Sequence, residues 1–121
     1  MTRTRLEYNV QRKVKSEINK MFRESKSVPF PYDADSTLEE MGMVSMDAVA
    51  FISRLEDIYG VDFDKALTPL YEEADRKARE EAEEEKDSSW FAPEVPPQEM
   101  FMRVGEITDF IITEMQTREA A

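Results

Sequence analysis

The chain of 121 residues contains no cysteine and no histidine. Without cysteine there is no disulfide and no thiolate to serve as nucleophile or soft metal ligand. Without histidine the usual general base near neutral pH and the commonest metal ligand are both missing. A free-standing enzyme is not expected of such a chain. No apolar run reaches membrane-spanning length, and residues 1–5 lead into an amphipathic helix rather than the apolar core of a signal peptide. The reading is a cytoplasmic protein with no stable membrane insertion. Bases are also scarce, 16 against 27 acids for a net charge of −11. Phosphate contacts need a basic patch, so this balance argues against nucleic acid as a partner and for partners with basic surfaces.

With hydrophobic residues at 40%, the chain suffices for one small core. The organising stretch is residues 42–60, a short helix bracketed by Gly42 and Gly60. At helical spacing Met46, Val49, Ile52 and Leu55 fall on one side, continued by Ile58 and Tyr59, and Asp47, Arg54, Glu56 and Asp57 are left for solvent. Ser45 suits the N-cap, Asp47 lies in the first turn facing the positive helix end, and Gly60 follows the C-terminus. Over residues 6–25, Leu6, Val10, Val14, Ile18 and Phe22 recur every fourth position, which predicts a surface helix with one buried stripe. Residues 27–35 carry two prolines and form a crossing loop that Phe30 and Tyr32 anchor. Asp33 and Asp35 do not make a calcium loop, because its sixth position would be Leu38 and its twelfth Val44, so no metal site is expected.

Beyond residue 60 the composition shifts. A short helix is expected near residues 66–72. Residues 71–86 are strong helix formers with acid and base pairs three or four apart and almost no apolar side chains, which predicts an arm with no face to bury, either a solvated helix or partly disordered spacer or a docking arm for a basic enzyme. Residues 87–98 form a proline-broken loop with the only tryptophan, Trp90, beside Phe91; these rings either cap the core or line a pocket or a partner site. A last helix over residues 98–118 places Phe101, Val104, Ile107, Ile111 and Met115 on one side, with Phe110 and Ile112 at its margin.

Three pieces of this sequence, in order, resemble the acyl carrier protein family. Residues 36–47, STLEEMGMVSMD, are similar to the family's "L/F-x-x-D/E-L-G-x-D-S-L-D/E", in which the serine carries 4′-phosphopantetheine. Residues 55–63, LEDIYGVDF, are similar to "L-E-E-x-F-G-I-x-I", and residues 104–111, VGEITDFI, to the "V-G-D-h-x-x-Y/F-I" that opens the last helix, h being apolar. With the first helix the resemblance covers most of the chain and leaves about residues 66–99 as an insertion. Two positions depart from it: Val44 stands in place of the aspartate before the serine and Met46 in place of the leucine after it. Recognition by a general phosphopantetheinyl transferase is therefore not implied.

The expected fold is all-α, one small acyl-carrier-like bundle of three main helices plus a short extra helix, with a charged helical insertion. Ser45 has no base arranged to take its proton, so it is read as a modification acceptor rather than a catalytic serine. The resemblance implies covalent 4′-phosphopantetheine, moved from coenzyme A onto Ser45 by a separate phosphopantetheinyl transferase; the group carries acyl chains as thioesters to acyl-loading and acyl-transfer enzymes with basic docking patches. Met46, Asp47, Glu56 and Asp57 are the partner-binding candidates; Ala50 and Arg54 interrupt the acidic row. A flexible pocket for the acyl chain is expected from Met41, Met46, Val49, Ile52, Phe101 and Ile107, with Met43, Met100, Met102 and Met115 as further methionines that deform around a guest. The carrier is expected to be monomeric and to serve a specialised lipid pathway such as lipid A or lipopolysaccharide synthesis, or secondary metabolism. The rival readings are an acidic adaptor of the same fold without the prosthetic group, and a peptidyl or polyketide carrier.

Overall fold

The computed structural model describes residues 3–84 and 95–120, and among these the chain is helical with no strand. Four α-helices follow in order: α1 (Arg3–Glu24), α2 (Ser45–Tyr59), α3 (Asp64–Glu84) and α4 (Val104–Ala120), with a 3₁₀ turn over Gln98–Phe101 before the last. None is long and apolar enough to cross a membrane. Helix α1 packs against α2 and α4, and the 3₁₀ turn packs against α2 and α3. The α1 stripe is as its spacing predicts: Leu6, Val10, Val14, Ile18 and Phe22 are all buried, joined by Met21. Each fully buried side chain of this size contributes about 1.5–3 kcal/mol, so the stripe orients the helix.

Helix α1 ends without glycine. Lys26 takes a left-handed conformation (φ 58°), with Ser27 N–H donating to the Phe22 carbonyl at 2.9 Å and Lys26 N–H to that of Arg23 at 3.1 Å. These bonds satisfy the last carbonyls and turn the chain into the loop that follows. That loop is stitched to the start of α4 by its backbone. Gly105 and Val104 N–H donate to Ala34 and Ser36 carbonyls at 2.8 and 3.0 Å, and Leu38 and Glu39 N–H donate to Met102 and Met100. Leu38 and Met41 are thereby sealed inside. Phe30 and Tyr32 do not anchor it equally: Tyr32 is half-buried, whereas Phe30 remains 64% exposed and covers Gly42.

Helix α2 buries Ala48, Phe51, Ile52 and Leu55 and ends at Gly60, left-handed at φ 64°, as the sequence predicts. Its buried face is rotated from the expected one. Met46 is 81% exposed and Ile58 is exposed, whereas Ala48 and the larger Phe51 ring take the core positions beside Ile52 and Leu55. The end of α2 is held from outside by Arg118 of α4, whose guanidinium donates to the Tyr59 carbonyl at 2.8 Å and to that of Gly60.

The short helix and the separate arm expected after residue 60 are one continuous helix, α3, with Pro69 in its second turn. Phe63 and Leu67 are buried, and the Phe63 ring meets Phe110 of α4 at 4.7 Å between centroids. Burial of this first turn starts the helix, and good helix formers extend it. The distal part carries ion pairs, Arg76 with Glu73 and Glu80 at 2.6 Å each and Arg79 with Asp75 at 3.0 Å. It is not free of the bundle, however. Ala74 and Ala78 are half-buried, and the Tyr71 hydroxyl donates to Glu99 at 2.5 Å. The expected last helix is likewise divided: Gln98–Phe101 is 3₁₀, α4 begins at Val104, and Ile112, expected at the margin, is fully buried. Trp90 and Phe91 lie outside the described residues.

Candidate functional site

Ser45 stands at the head of α2, where a tight turn delivers the chain. The Thr37 hydroxyl accepts from Glu40 N–H at 3.1 Å, Met43 N–H donates to Leu38, and buried Met43 fixes the exit of the turn. Ser45 is not the N-cap that its position suggests. Val44 is the cap, extended at φ −75° and ψ 160°, and its carbonyl accepts from Ala48 N–H at 2.9 Å, which makes Ser45 the first helical residue. Its side chain therefore does not cap the helix and has no hydrogen-bond partner among the described residues. The hydroxyl is half-exposed at the positive helix end, beside backbone N–H groups of the first turn that have no intrahelical acceptor. Such an end favours an anionic group, and Asp47 lies in the same first turn. No base is bonded to Ser45, so its hydroxyl is not activated as a nucleophile.

The surroundings of Ser45 are more apolar than acidic. Val44 is 60% exposed and Met46 flanks the serine on its other side. A hollow of about 270 Å³ opens beside them, bounded by Met21, Phe22, Ser27, Met43, Val44 and Asp47. Of the acids expected to meet partners, Asp47 is half-buried and Asp57 is exposed, but Glu56 is engaged within the fold: its carboxylate accepts from Phe63 N–H at 2.9 Å and holds the turn into α3. Arg54 is not left for solvent either. It pairs with Glu17 at 3.4 Å and Glu24 at 3.5 Å, and Glu17, only 2% exposed, also meets Lys13. The outward line of α2 is accordingly Met46, Ala50, Ser53 and Asp57.

The residues expected around an acyl chain lie at different depths. Met41, Ile52 and Ile107 are core residues, Val49 is half-buried, and Met46 and Phe101 (41% exposed) are on the surface. A larger groove of about 600 Å³ runs elsewhere, between α1, the crossing loop and the start of α4, lined by Ile18, Phe30, Tyr32, Val104, Gly105 and Thr108. The Tyr32 hydroxyl is buried with no hydrogen-bond partner among the described residues, and burial raises its pKa above the ordinary 10.0. Sequence reasoning placed Phe30 and Tyr32 in the loop; the groove depends on how the loop's backbone pairs with α4, and no residue pattern signals that.

Compared with known proteins, the chain has no matching family model, no matching curated protein and no matching solved structure.

Proposed function

We propose that the chain is a specialised acyl carrier protein, modified at Ser45 with 4′-phosphopantetheine. The observation that carries the reading is the placement of Ser45: first in α2, half-exposed, unbonded, and without a base. A phosphodiester on this hydroxyl fits the spare N–H groups and positive end of α2. When bound, the group supplies the thiol that the polypeptide lacks, so that an acyl chain is held as an activated thioester. The chain's own residues orient and expose the site. Met43 anchors the turn before the serine, and Val44, Met46 and Asp57 present a face that is largely apolar with one exposed acid. Partner enzymes with mixed apolar and basic docking patches fit this face better than strongly basic ones. An acyl chain entering among Met41, Ile52 and Ile107 requires these packed side chains to separate, which unbranched methionine does most readily. The protein on this reading carries and does not catalyse, and lipid A or lipopolysaccharide synthesis is one pathway that suits it.

Intact-mass measurement after incubation with coenzyme A and a broad-specificity phosphopantetheinyl transferase tests the proposal, with Ser45→Ala as control. A gain of one phosphopantetheine, absent in the control, is expected. No gain there, and none in protein purified from its own host, refutes the carrier and leaves the adaptor, for which exposed Val44 in place of an acid is the supporting observation.

A further inference from the structure

Charge is unevenly distributed along this acidic chain. The first 26 residues hold eight of the 16 bases and three of the 27 acids, a net +5 against −16 for the remainder. The structure gathers several of these bases on the outward side of α1. Tyr8, Arg12, Lys15, Ser16, Asn19 and Arg23 follow one another at helical spacing along a shallow groove of about 360 Å³. Arg12, Lys15 and Arg23 are exposed, as are Lys20 and Lys26 beside them, and none of the five forms an ion pair among the described residues. The α1 acids do not neutralise them. Glu17 is buried against Lys13 and Arg54, Glu24 pairs with Arg54, and Glu7 is half-buried with a partner of its own. Elsewhere the exposed bases Lys65, Arg76, Lys77, Arg79 and Arg103 are matched to carboxylates.

We infer that this face of α1 is a docking surface for an anionic membrane, on which the protein lies peripherally with α1 parallel to the bilayer. From Tyr8 to Arg23 the row is straight and about 22 Å long, at 1.5 Å per residue, so its cations meet a plane together. Tyr8 is 58% exposed, with the Arg12 guanidinium 5.6 Å above its ring, and an amphipathic ring among cations suits the headgroup layer. Clustered Lys and Arg on an amphipathic helix bind anionic lipid by charge, without insertion. Insertion is excluded here because the apolar side of α1 forms the core. A flat surface is favoured over a nucleic-acid strand by what borders the row: Asp33 and Asp109 line the next groove, which shares Lys15 and Asn19. A strand that wraps meets those acids, whereas a plane touches one face, and acids farther than about 8 Å are screened at physiological salt.

Co-sedimentation with vesicles of phosphatidylcholine alone, and of phosphatidylcholine with phosphatidylglycerol, is the test. Binding is expected only to the anionic vesicles, at low salt, and is lost at high salt. Each neutralised cation is expected to lower the partition coefficient about fivefold, so Arg12→Gln, Lys15→Gln and Arg23→Gln together lower it about 100-fold. Lys77→Gln on α3 is expected to leave it unchanged. The salt dependence of the unaltered protein carries the test even where the triple variant does not fold. Equal binding to both vesicles, binding that the folded triple variant retains, or tighter α1-dependent binding to a single-stranded RNA oligonucleotide or an acidic peptide at the same salt overturns the inference. Whether Ser45 is modified has no bearing on these outcomes.

Discussion

Removing one hydroxyl is expected to loosen the distal part of α3 from the rest of the fold. Tyr71 Oη donates to Glu99 at 2.5 Å and accepts from Gln98 N–H at 3.2 Å, so Tyr71→Phe breaks two bonds across the contact between α3 and the 3₁₀ turn. The ring stays, and the packing with it. What remains is a nearly buried carboxylate without its donor and an amide without its acceptor. A hydrogen bond to a charged group contributes about 1.5–3 kcal/mol and a neutral one about 0.5–1.5; Glu99 relaxing toward solvent recovers part of this, which leaves about 2–3 kcal/mol. In a domain of this size that lowers Tm by roughly 6–15 °C. Thermal and urea unfolding measure the loss, and amide hydrogen exchange locates it: protection over residues 71–84 is expected to fall before protection in α1 and α2 does. Glu99→Gln keeps an acceptor for Tyr71 and is expected to be the milder change. A Tyr71→Phe variant within about 0.5 kcal/mol of the unaltered protein, with unchanged exchange in α3, refutes the tie.

Arg54→Met removes one of two cations from the buried Glu17 carboxylate and is expected to destabilise by about 1–3 kcal/mol, most of it recovered in the double variant with Glu17→Gln; denaturant melts of the cycle measure this. Tyr32, Tyr59 and Tyr71 all have pKa values raised by burial, with the Glu17 charge adding at Tyr59 and the Glu99 bond at Tyr71. The folded state then holds these protons more tightly than the unfolded chain, so stability is fully present below pH 10 and falls as pH rises through the raised values; Tyr71→Phe makes that fall shallower in melts across the alkaline range. If the chain is the proposed carrier, Asp57→Lys is expected to slow acyl transfer by its partner enzyme at low salt without loss of stability, whereas Glu56→Lys also releases Phe63 N–H and lowers Tm, which thermal melts distinguish.

Local chemistry was sufficient for much of this molecule. The fourfold spacing from Leu6 to Phe22 leaves one way to bury α1, Gly60 marks where α2 stops, and the segregation of bases into the first 26 residues is a property of the chain alone. Ser45 was correctly placed at a helix start, but whether it caps that helix depends on which carbonyl the first turn uses, and the Val44 carbonyl is chosen only when the Thr37 turn and buried Met43 set the approach. The left-handed Lys26 carries no glycine to announce it. Periodicity establishes that α2 is amphipathic, yet its rotation is decided by competition for the core: Phe51 buries more apolar surface than Met46, so Met46 faces solvent beside the serine. Charges follow the same division. Arg54 and Glu56 read as solvent-facing in sequence, yet Arg54 pairs with buried Glu17 of α1 and Glu56 accepts from the Phe63 amide across the turn into α3, because burying a carboxylate or satisfying a loop amide becomes favourable only once folding has brought the complementary group within reach.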